Sequence, residues 1–260
     1  MYIFQLKNPS LSILEVSLKA PEGIKISQSI GSVMHGALME FMNAETKEWL
    51  HEYSRRPFSQ YIFYDRQDDL VKWRIGSLCN EARERILNPL SQLQNKLYLR
   101  QKGFFLQVSN TSWVEETNYN DIMDRFLGED IQYRKIKWEF ISPTAFKNEG
   151  TYTFMPELGL IYNNLLRRWN TFSDAEKIDY PELVESLVSH SQLVQYRLNS
   201  LKFGLEKTQV PAFKGEIVVH IKNSPMIKRI IALLATYSNF SGVGIKTALG
   251  MGGVKGSIIL

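Results

Sequence analysis

Four histidines, His35, His51, His190 and His220, are the side chains of this sequence best suited to moving protons near neutral pH. An imidazole with a pKa of about 6.5 keeps both of its forms available there. Their settings differ. His190 falls on an apolar helical stripe with Leu183 and Leu187, where packing accounts for it. His220 alternates with Val218 opposite Ile217, Val219 and Ile221, which places it on a strand surface. His51, within Trp49-Leu50-His51-Glu52-Tyr53, has no evident partner. His35 stands beside Gly31 and Gly36 at the border of an apolar stripe, within reach of solvent and of a bound strand. A border histidine of this kind is more often structural than catalytic, so its position by itself decides nothing.

The second candidate is a glycine-rich run, Phe240-Ser241-Gly242-Val243-Gly244-Ile245-Lys246-Thr247-Ala248-Leu249-Gly250-Met251-Gly252-Gly253. A nucleotide P-loop ends in Gly-Lys-Ser/Thr after a strand, whereas here Ile245 separates Gly244 from Lys246-Thr247 and the run follows a helical pattern. A dinucleotide fingerprint needs glycine where Thr247 stands and a helix afterwards, yet fewer than ten residues follow Gly252. Neither nucleotide motif is present. What remains is a loop of little side-chain bulk whose backbone N–H groups, beside Lys246 and Thr247, can approach a phosphodiester backbone. A turn that merely packs against a sheet would look the same. Charge tilts the balance: after Glu216, the last acidic residue, come five basic residues (Lys222, Lys228, Arg229, Lys246, Lys255) and no acidic one. That tail favours a polyanionic partner.

Other chemistry has weaker support. Asp65, Asp68 and Asp69 fall in an expected hairpin turn and Glu115-Glu116 are adjacent rather than on one helical face, so no metal site is expected. Trp73, Trp138 and Tyr196 sit in strand patterns where burial is as good a reason as base stacking. The single cysteine, Cys79, rules out an internal disulfide framework and suits a reducing cytoplasm. With 260 residues, 44% of them hydrophobic, the chain can bury one large core or two small ones and is too apolar for a disordered class. Neither a signal-like N-terminus nor a run of about 18 apolar residues occurs, and a soluble cytoplasmic protein is expected.

The elements that must position these groups follow from periodicity. Residues 11–19 alternate as a half-buried strand with Leu14, Val16 and Leu18 inward and Glu15, Ser17 and Lys19 outward. Ile30, Val33, Met34, Ala37, Leu38, Phe41 and Met42 mark an amphipathic helix. A hairpin over 61–75 follows, then a helix capped by Ser77 and running through Leu90, with Asn88-Pro89 as its stop, then strand material over 96–108 broken at Lys102-Gly103. The same order recurs: a strand at 133–141, helices at 157–170 and 182–191, a long strand pair (194–207 and 213–221) around Pro211, a helix from Pro225 to Tyr237 and a strand at 256–260. The fold class is therefore α+β, two tandem ferredoxin-like (β-α-β-β-α-β, RRM-like) domains, 1–128 and 129–260, joined near Gly128-Glu129-Asp130.

Gly242-Val243-Gly244, five residues that include Lys246, then Gly250-Met251-Gly252 form a Gly-hydrophobic-Gly pair near the C-terminus. This spacing resembles the signature of the CRISPR-associated repeat endoribonucleases, the Cas-six family of the RAMP superfamily. Ser142-Pro143-Thr144-Ala145-Phe146, Leu165-Leu166-Arg167-Arg168-Trp169-Asn170 and Phe213-Lys214-Gly215-Glu216-Ile217 are similar to further family phrases, and Gly31-Ser32-Val33-Met34-His35-Gly36 carries a thinner likeness in the first half. The resemblance implies two ferredoxin-like domains and metal-free cleavage of CRISPR repeat RNA, by 2′-hydroxyl attack, to a 2′,3′-cyclic phosphate and a 5′-hydroxyl. It makes His35, at the family's first-helix position, the catalytic residue. Family members often add a tyrosine or lysine; Lys25, Ser29, Lys47 and Tyr53 lie near His35 in sequence, but spacing places none of them. The expected RNA-binding set is Gly242, Gly244, Lys246, Thr247, Gly250, Gly252, Lys222, Lys228 and Arg229, with Lys246 anchoring backbone phosphates. No cofactor is expected. The partner is CRISPR repeat RNA, as single strand or stem-loop, with hand-off to an effector complex and homodimer formation as further associations. A non-catalytic RAMP subunit that binds CRISPR RNA in such a complex is the alternative reading, and a sheet-rich protein without an RNA role is the third.

Overall fold

A computed structural model describes residues 9–24, 26–127, 133–205, 208–222 and 224–259. The first half runs β1 (Leu11–Lys19), a 3₁₀ turn, α1 (Gly31–Phe41), α2 (Ala44–His51), β2 (Phe58–Asp65) and β3 (Leu70–Ser77). Next come α3 (Asn80–Ala82), a π turn at Arg83–Leu87, α4 (Asn88–Ser91), β4 (Lys96–Leu99), β5 (Phe104–Thr117) and α5 (Tyr119–Leu127). Its antiparallel sheet has the order β2-β3-β1-β5-β4. Without the added edge strand β4, this is the 2-3-1-4 order of a ferredoxin-like unit.

Being central changes β1 from the half-exposed strand expected of it. Ser12 and Ser17 are buried, and the polar face is closed by partners on β3. Arg74 meets Glu15 at 2.6 Å and the Lys72 ammonium donates to Ser17 Oγ at 3.0 Å. A second expectation also gives way. Ser77 does not cap a helix; it ends β3, and its Oγ accepts from the Ser12 N–H at 3.1 Å. The helical run passes its expected end at Leu90 by one residue, so Asn88-Pro89 lies inside it rather than stopping it. It continues to Ser91, with Pro89 in the first turn of α4 directly after the π turn, where a proline's missing N–H is tolerated.

The second half contains β6 (Lys135–Thr144), a small hairpin of β7 (Phe146–Asn148) and β8 (Thr151–Thr153), α6 (Leu158–Phe172) and α7 (Leu183–Ser189). It ends with β9 (Ser191–Leu205), β10 (Thr208–Ile221), α8 (Pro225–Ser241), a 3₁₀ turn at Thr247–Leu249 and β11 (Val254–Ile259). The sheet order β11-β6-β10-β9 repeats the ferredoxin-like order, so the two tandem units read from the sequence are present. Pro211 lies in β10 beyond the last residue paired with β6, where a strand needs no donor on that side.

Helix α8 is buried around most of its circumference because both sheets use it. Ser59 Oγ on β2 donates to the Phe240 carbonyl at 2.5 Å, and on the other side Gly256 of β11 lets the Ala235 carbonyl approach closer than any Cβ would permit. Helix α5 crosses over as well: Tyr119, Ile122 and Phe126 join the core of the second half. The expected junction at Gly128-Glu129-Asp130 lies outside the described residues. Among the described residues, no helix is long and apolar enough to cross a membrane.

Candidate active site

Glycine at Gly31 and Gly250 lets the start of α1 meet the C-terminal loop backbone to backbone. A Cβ on Gly31 would lie 2.8 Å from the Gly250 Cα, and one on Gly250 would lie 2.6 Å from the Gly31 Cα. Gln60 of β2, fully buried, staples the joint. Its Nε2 donates to the carbonyls of Gly31 (2.9 Å) and Ala248 (3.0 Å), while Trp73 Nε1 donates to its Oε1 at 2.7 Å. From the other half, Asn164 of α6 clamps Gly244, accepting from its N–H at 2.9 Å and donating to its carbonyl at 3.3 Å. A residue on α1 is thereby held at fixed distance from the loop.

The loop glycines are joints rather than an open surface. Gly242, Gly244, Gly250 and Gly252 are buried with positive φ, and a Cβ on Gly244 or Gly252 would lie 2.4 or 2.1 Å from the carbonyl oxygen of Ala145 or Val243. Thr247 is buried between Gly242 and Gly252 through its methyl group. Backbone donors are mostly spent internally: the N–H groups of Val243, Ile245 and Gly252 bond Gly252, Ala145 and Pro143 carbonyls. Lys246 alone among these residues is exposed, and it holds a left-handed conformation (φ +56°).

Between α1, the 54–56 turn, α6 and this loop lies a cleft of about 480 Å³. Its lining includes His35, Arg55, Arg56, Arg168, Lys246 and Thr247, and none of the described residues lining it is acidic. The His35 ring lies over Phe58, with centroids 6.1 Å apart and planes 13° from parallel. Its Nδ1 is buried with no hydrogen-bond partner. Burial first, and the Arg56 charge second, push the His35 pKa below the ordinary 6.5, with the Ala248 carbonyl pulling weakly the other way. The imidazole is therefore neutral at pH 7 and able to accept a proton. Arg56 in turn donates to the Leu50 carbonyl, which fixes the turn that carries it.

Of the residues singled out in the sequence, the cleft gathers His35, Gly244, Lys246 and Thr247. It does not gather Lys222, Lys228 or Arg229. Lys222 donates to the Ser189 carbonyl at 2.7 Å, and Lys228 and Arg229 occupy the first turns of α8, about 20 Å along the helix from Gly242. Among the partner residues weighed for His35, Lys25 lies outside the described residues, and Ser29, Lys47 and Tyr53 do not line the cleft. His190 bonds the Ser186 carbonyl through Nδ1 at 2.8 Å, and His51 is exposed on α2. Asp68 pairs with Lys72 and Glu116 with Arg83, both at 2.7 Å, so these acids have structural partners. Among the described residues, no three His, Cys, Asp or Glu side chains are grouped to hold a metal ion.

Arg55, Arg56 and Arg168 are functional candidates that sequence reasoning passed over. For Arg168 a signal existed. Ile161, Leu165, Arg168 and Phe172 share one face of α6, and an arginine on an otherwise buried helical stripe is a visible anomaly. Arg55 and Arg56 gave no such signal, since their turn has no periodicity.

Residues 138–254 match the family described as CRISPR-associated endoribonuclease Cas6. The chain is 31% identical over 228 residues to the CRISPR-associated endoribonuclease Cas6 of Mycobacterium tuberculosis, covering 87% of this chain and 71% of that protein. It is 26% identical over 230 residues to the Streptococcus thermophilus protein of the same name, covering 88% and 92%. Among solved structures, a Cas6 product complex superposes with a TM-score of 0.76 at 21% identity, covering 95% of this chain and 99% of that one. Thermus thermophilus Cas6 gives 0.74 at 19% identity, covering 96% and 99%. At such identity these two speak for the fold.

Proposed function

Because the chain belongs to the Cas6 family of CRISPR-associated endoribonucleases, we propose that it cleaves CRISPR repeat RNA without a metal, by attack of a ribose 2′-hydroxyl on the adjacent phosphorus. In this reading His35 takes the 2′-hydroxyl proton as the new O2′–P bond forms. The P–O5′ bond then breaks, and the departing oxygen takes a proton from water. The products are a 2′,3′-cyclic phosphate and a 5′-hydroxyl, and the shortened RNA serves as guide for an effector complex. The Lys246 and Arg55 side chains hold phosphates on either side of the scissile bond. The domains divide as 1–128, which carries the base, and 129–260, which carries the loop.

The observation that carries this reading is an imidazole biased to its neutral form in a cleft whose described lining residues include four cationic side chains and no acid. Such a site attracts a phosphodiester and leaves the proton acceptor free. Its donor set, rich in N–H groups and without carboxylates, suits a phosphate better than a hard metal ion. The test is cleavage of repeat RNA in excess EDTA with end-group analysis of the fragments. One cut bearing a cyclic phosphate is expected. Cutting that stops on chelation, or ends in a 3′-hydroxyl, contradicts the mechanism.

A further inference from the structure

Two charged side chains among the described residues are buried, Lys72 and Arg168, and they are treated differently. Lys72 is compensated by Asp68 at 2.7 Å, Ser17 Oγ at 3.0 Å and Glu15 at 3.8 Å. Arg168 has no ion pair among the described residues, and its Nε and Nη2 are buried with no hydrogen-bond partner. It is only 6% exposed, yet it lines the cleft that holds His35. A buried guanidinium without a counter-charge is among the costlier arrangements a fold can contain.

The surroundings hold Arg168 in place without neutralising it. Tyr237 and Tyr119 neighbour it, and both rings pack on Trp169, with centroids 4.7 Å apart for Tyr119–Trp169 and 5.2 Å for Trp169–Tyr237. Tyr119 is itself pinned, donating its hydroxyl to the Leu78 carbonyl at 2.9 Å. Burial, aided by the neighbouring Arg55, lowers the Arg168 pKa, while the Tyr237 and Tyr119 hydroxyls partly oppose this. Burial also pushes the Tyr237 hydroxyl up to about 12, so it stays neutral at physiological pH and supplies no counter-charge. The open end of the side chain is the cleft.

We propose that Arg168 is a catalytic residue that receives a non-bridging oxygen of the scissile phosphate, the RNA supplying the negative charge that the protein withholds. This rests on the cleavage reading above and adds the group that stabilises the phosphorane. Lys246 and Arg55 are exposed and can follow a phosphate anywhere on the strand, whereas Arg168 is buried beside Tyr237 and Tyr119 in the wall of the cleft that also holds His35. A planar fork held rigidly in a water-poor site stabilises developing charge without reorganising. It also makes the site selective for phosphate position rather than for phosphate as such.

The consequence is a pair of effects with opposite signs. Arg168→Met keeps the side-chain volume and removes the uncompensated charge. Its melting temperature without RNA is expected to rise by a few degrees, while its single-turnover cleavage at saturating repeat RNA falls by about 100-fold or more. Inorganic sulfate should stabilise the wild type more than Arg168→Met. Arg168→Lys, which keeps charge and loses the fork, should cut at an intermediate rate. An Arg168→Met protein that melts lower or does not fold assigns the residue to the fold and overturns the proposal, as does one that cuts at the wild-type rate. Failure of the wild type to cut repeat RNA at all would instead sink the cleavage reading. The sulfate comparison then still reports whether Arg168 binds an oxyanion, and equal shifts in the two proteins overturn that too.

Discussion

Among the clefts lined by the described residues, two that lie between the halves differ in kind, and the larger of the pair is the less equipped for chemistry. The larger, about 640 Å³, runs between β2–β3 and the second sheet, where Arg66, Arg74, Arg197, Lys214 and Lys255 are interleaved with Glu139 and Glu216. Several of its cations stand beside an acid: Arg74 meets Glu15 at 2.6 Å, and Arg197 and Lys255 stand opposite Glu216 and Glu139 in strand register. In the smaller cleft, about 480 Å³, none of the described lining residues is acidic, and one of the cations is buried. Volume ranks the two one way and unspent charge ranks them the other. For a polyanionic substrate the second criterion governs, because matched charges have already given up the interaction that phosphate would receive.

The sharpest way to break this contrast is at the base. His35→Ala should lower single-turnover cleavage of repeat RNA by roughly 10²–10⁴-fold while leaving RNA affinity within a few-fold, measured by filter binding. Retained cutting would move the chemistry out of the smaller cleft. Next in size is the loop. Gly252→Ala should cost about 3 kcal/mol in urea unfolding, since its Cβ would sit 2.1 Å from the Val243 carbonyl, against about 1 kcal/mol for Gly23→Ala, which meets nothing within 4 Å. Equal costs would mean that the loop glycines are not joints. The pH profile of kcat/KM comes third. With the His35 pKa held down by burial and Arg56, the rate should rise with pH through a limb centred below the ordinary 6.5. A rate that falls as pH rises through this region would make His35 an acid rather than a base. Smallest is the effect of the larger cleft. Lys246→Ala should flatten the salt dependence of binding by about one unit of slope, whereas Arg197→Ala should change affinity less than about twofold.

The sequence was legible where a local pattern carried the information. Alternation and helical spacing set out both β-α-β-β-α-β units, and the spacing around Gly242 and Gly250 marked the loop before its contacts were known. What stayed hidden depends on pairing across the fold. The polar face of β1 read as solvent-facing because Glu15 and Ser17 alternate with leucines, and only Arg74 and Lys72 on the neighbouring strand reveal it as buried. Lys222, Lys228, Arg229 and Lys246 looked like one basic patch because they share an acid-free stretch, but α8 is a rigid rod that parts Lys246 from the others. Glycine richness suggested an accessible surface, whereas the glycines serve close approach to Gly31, Ala145 and Val243, and the reachable groups are the side chains around them. Arg168 was readable as an arginine on an apolar stripe, with no way to tell from spacing that no acid faces it.

The central claim, that the acid-free cleft directs a ribose 2′-hydroxyl onto its own phosphate, is tested most directly by replacing that one hydroxyl. The wild-type protein should cut repeat RNA once in excess EDTA and leave a strand with a single 2′-deoxy nucleotide at the scissile position uncut, though bound with similar affinity. Cleavage of the deoxy-substituted strand at the same bond would contradict the account.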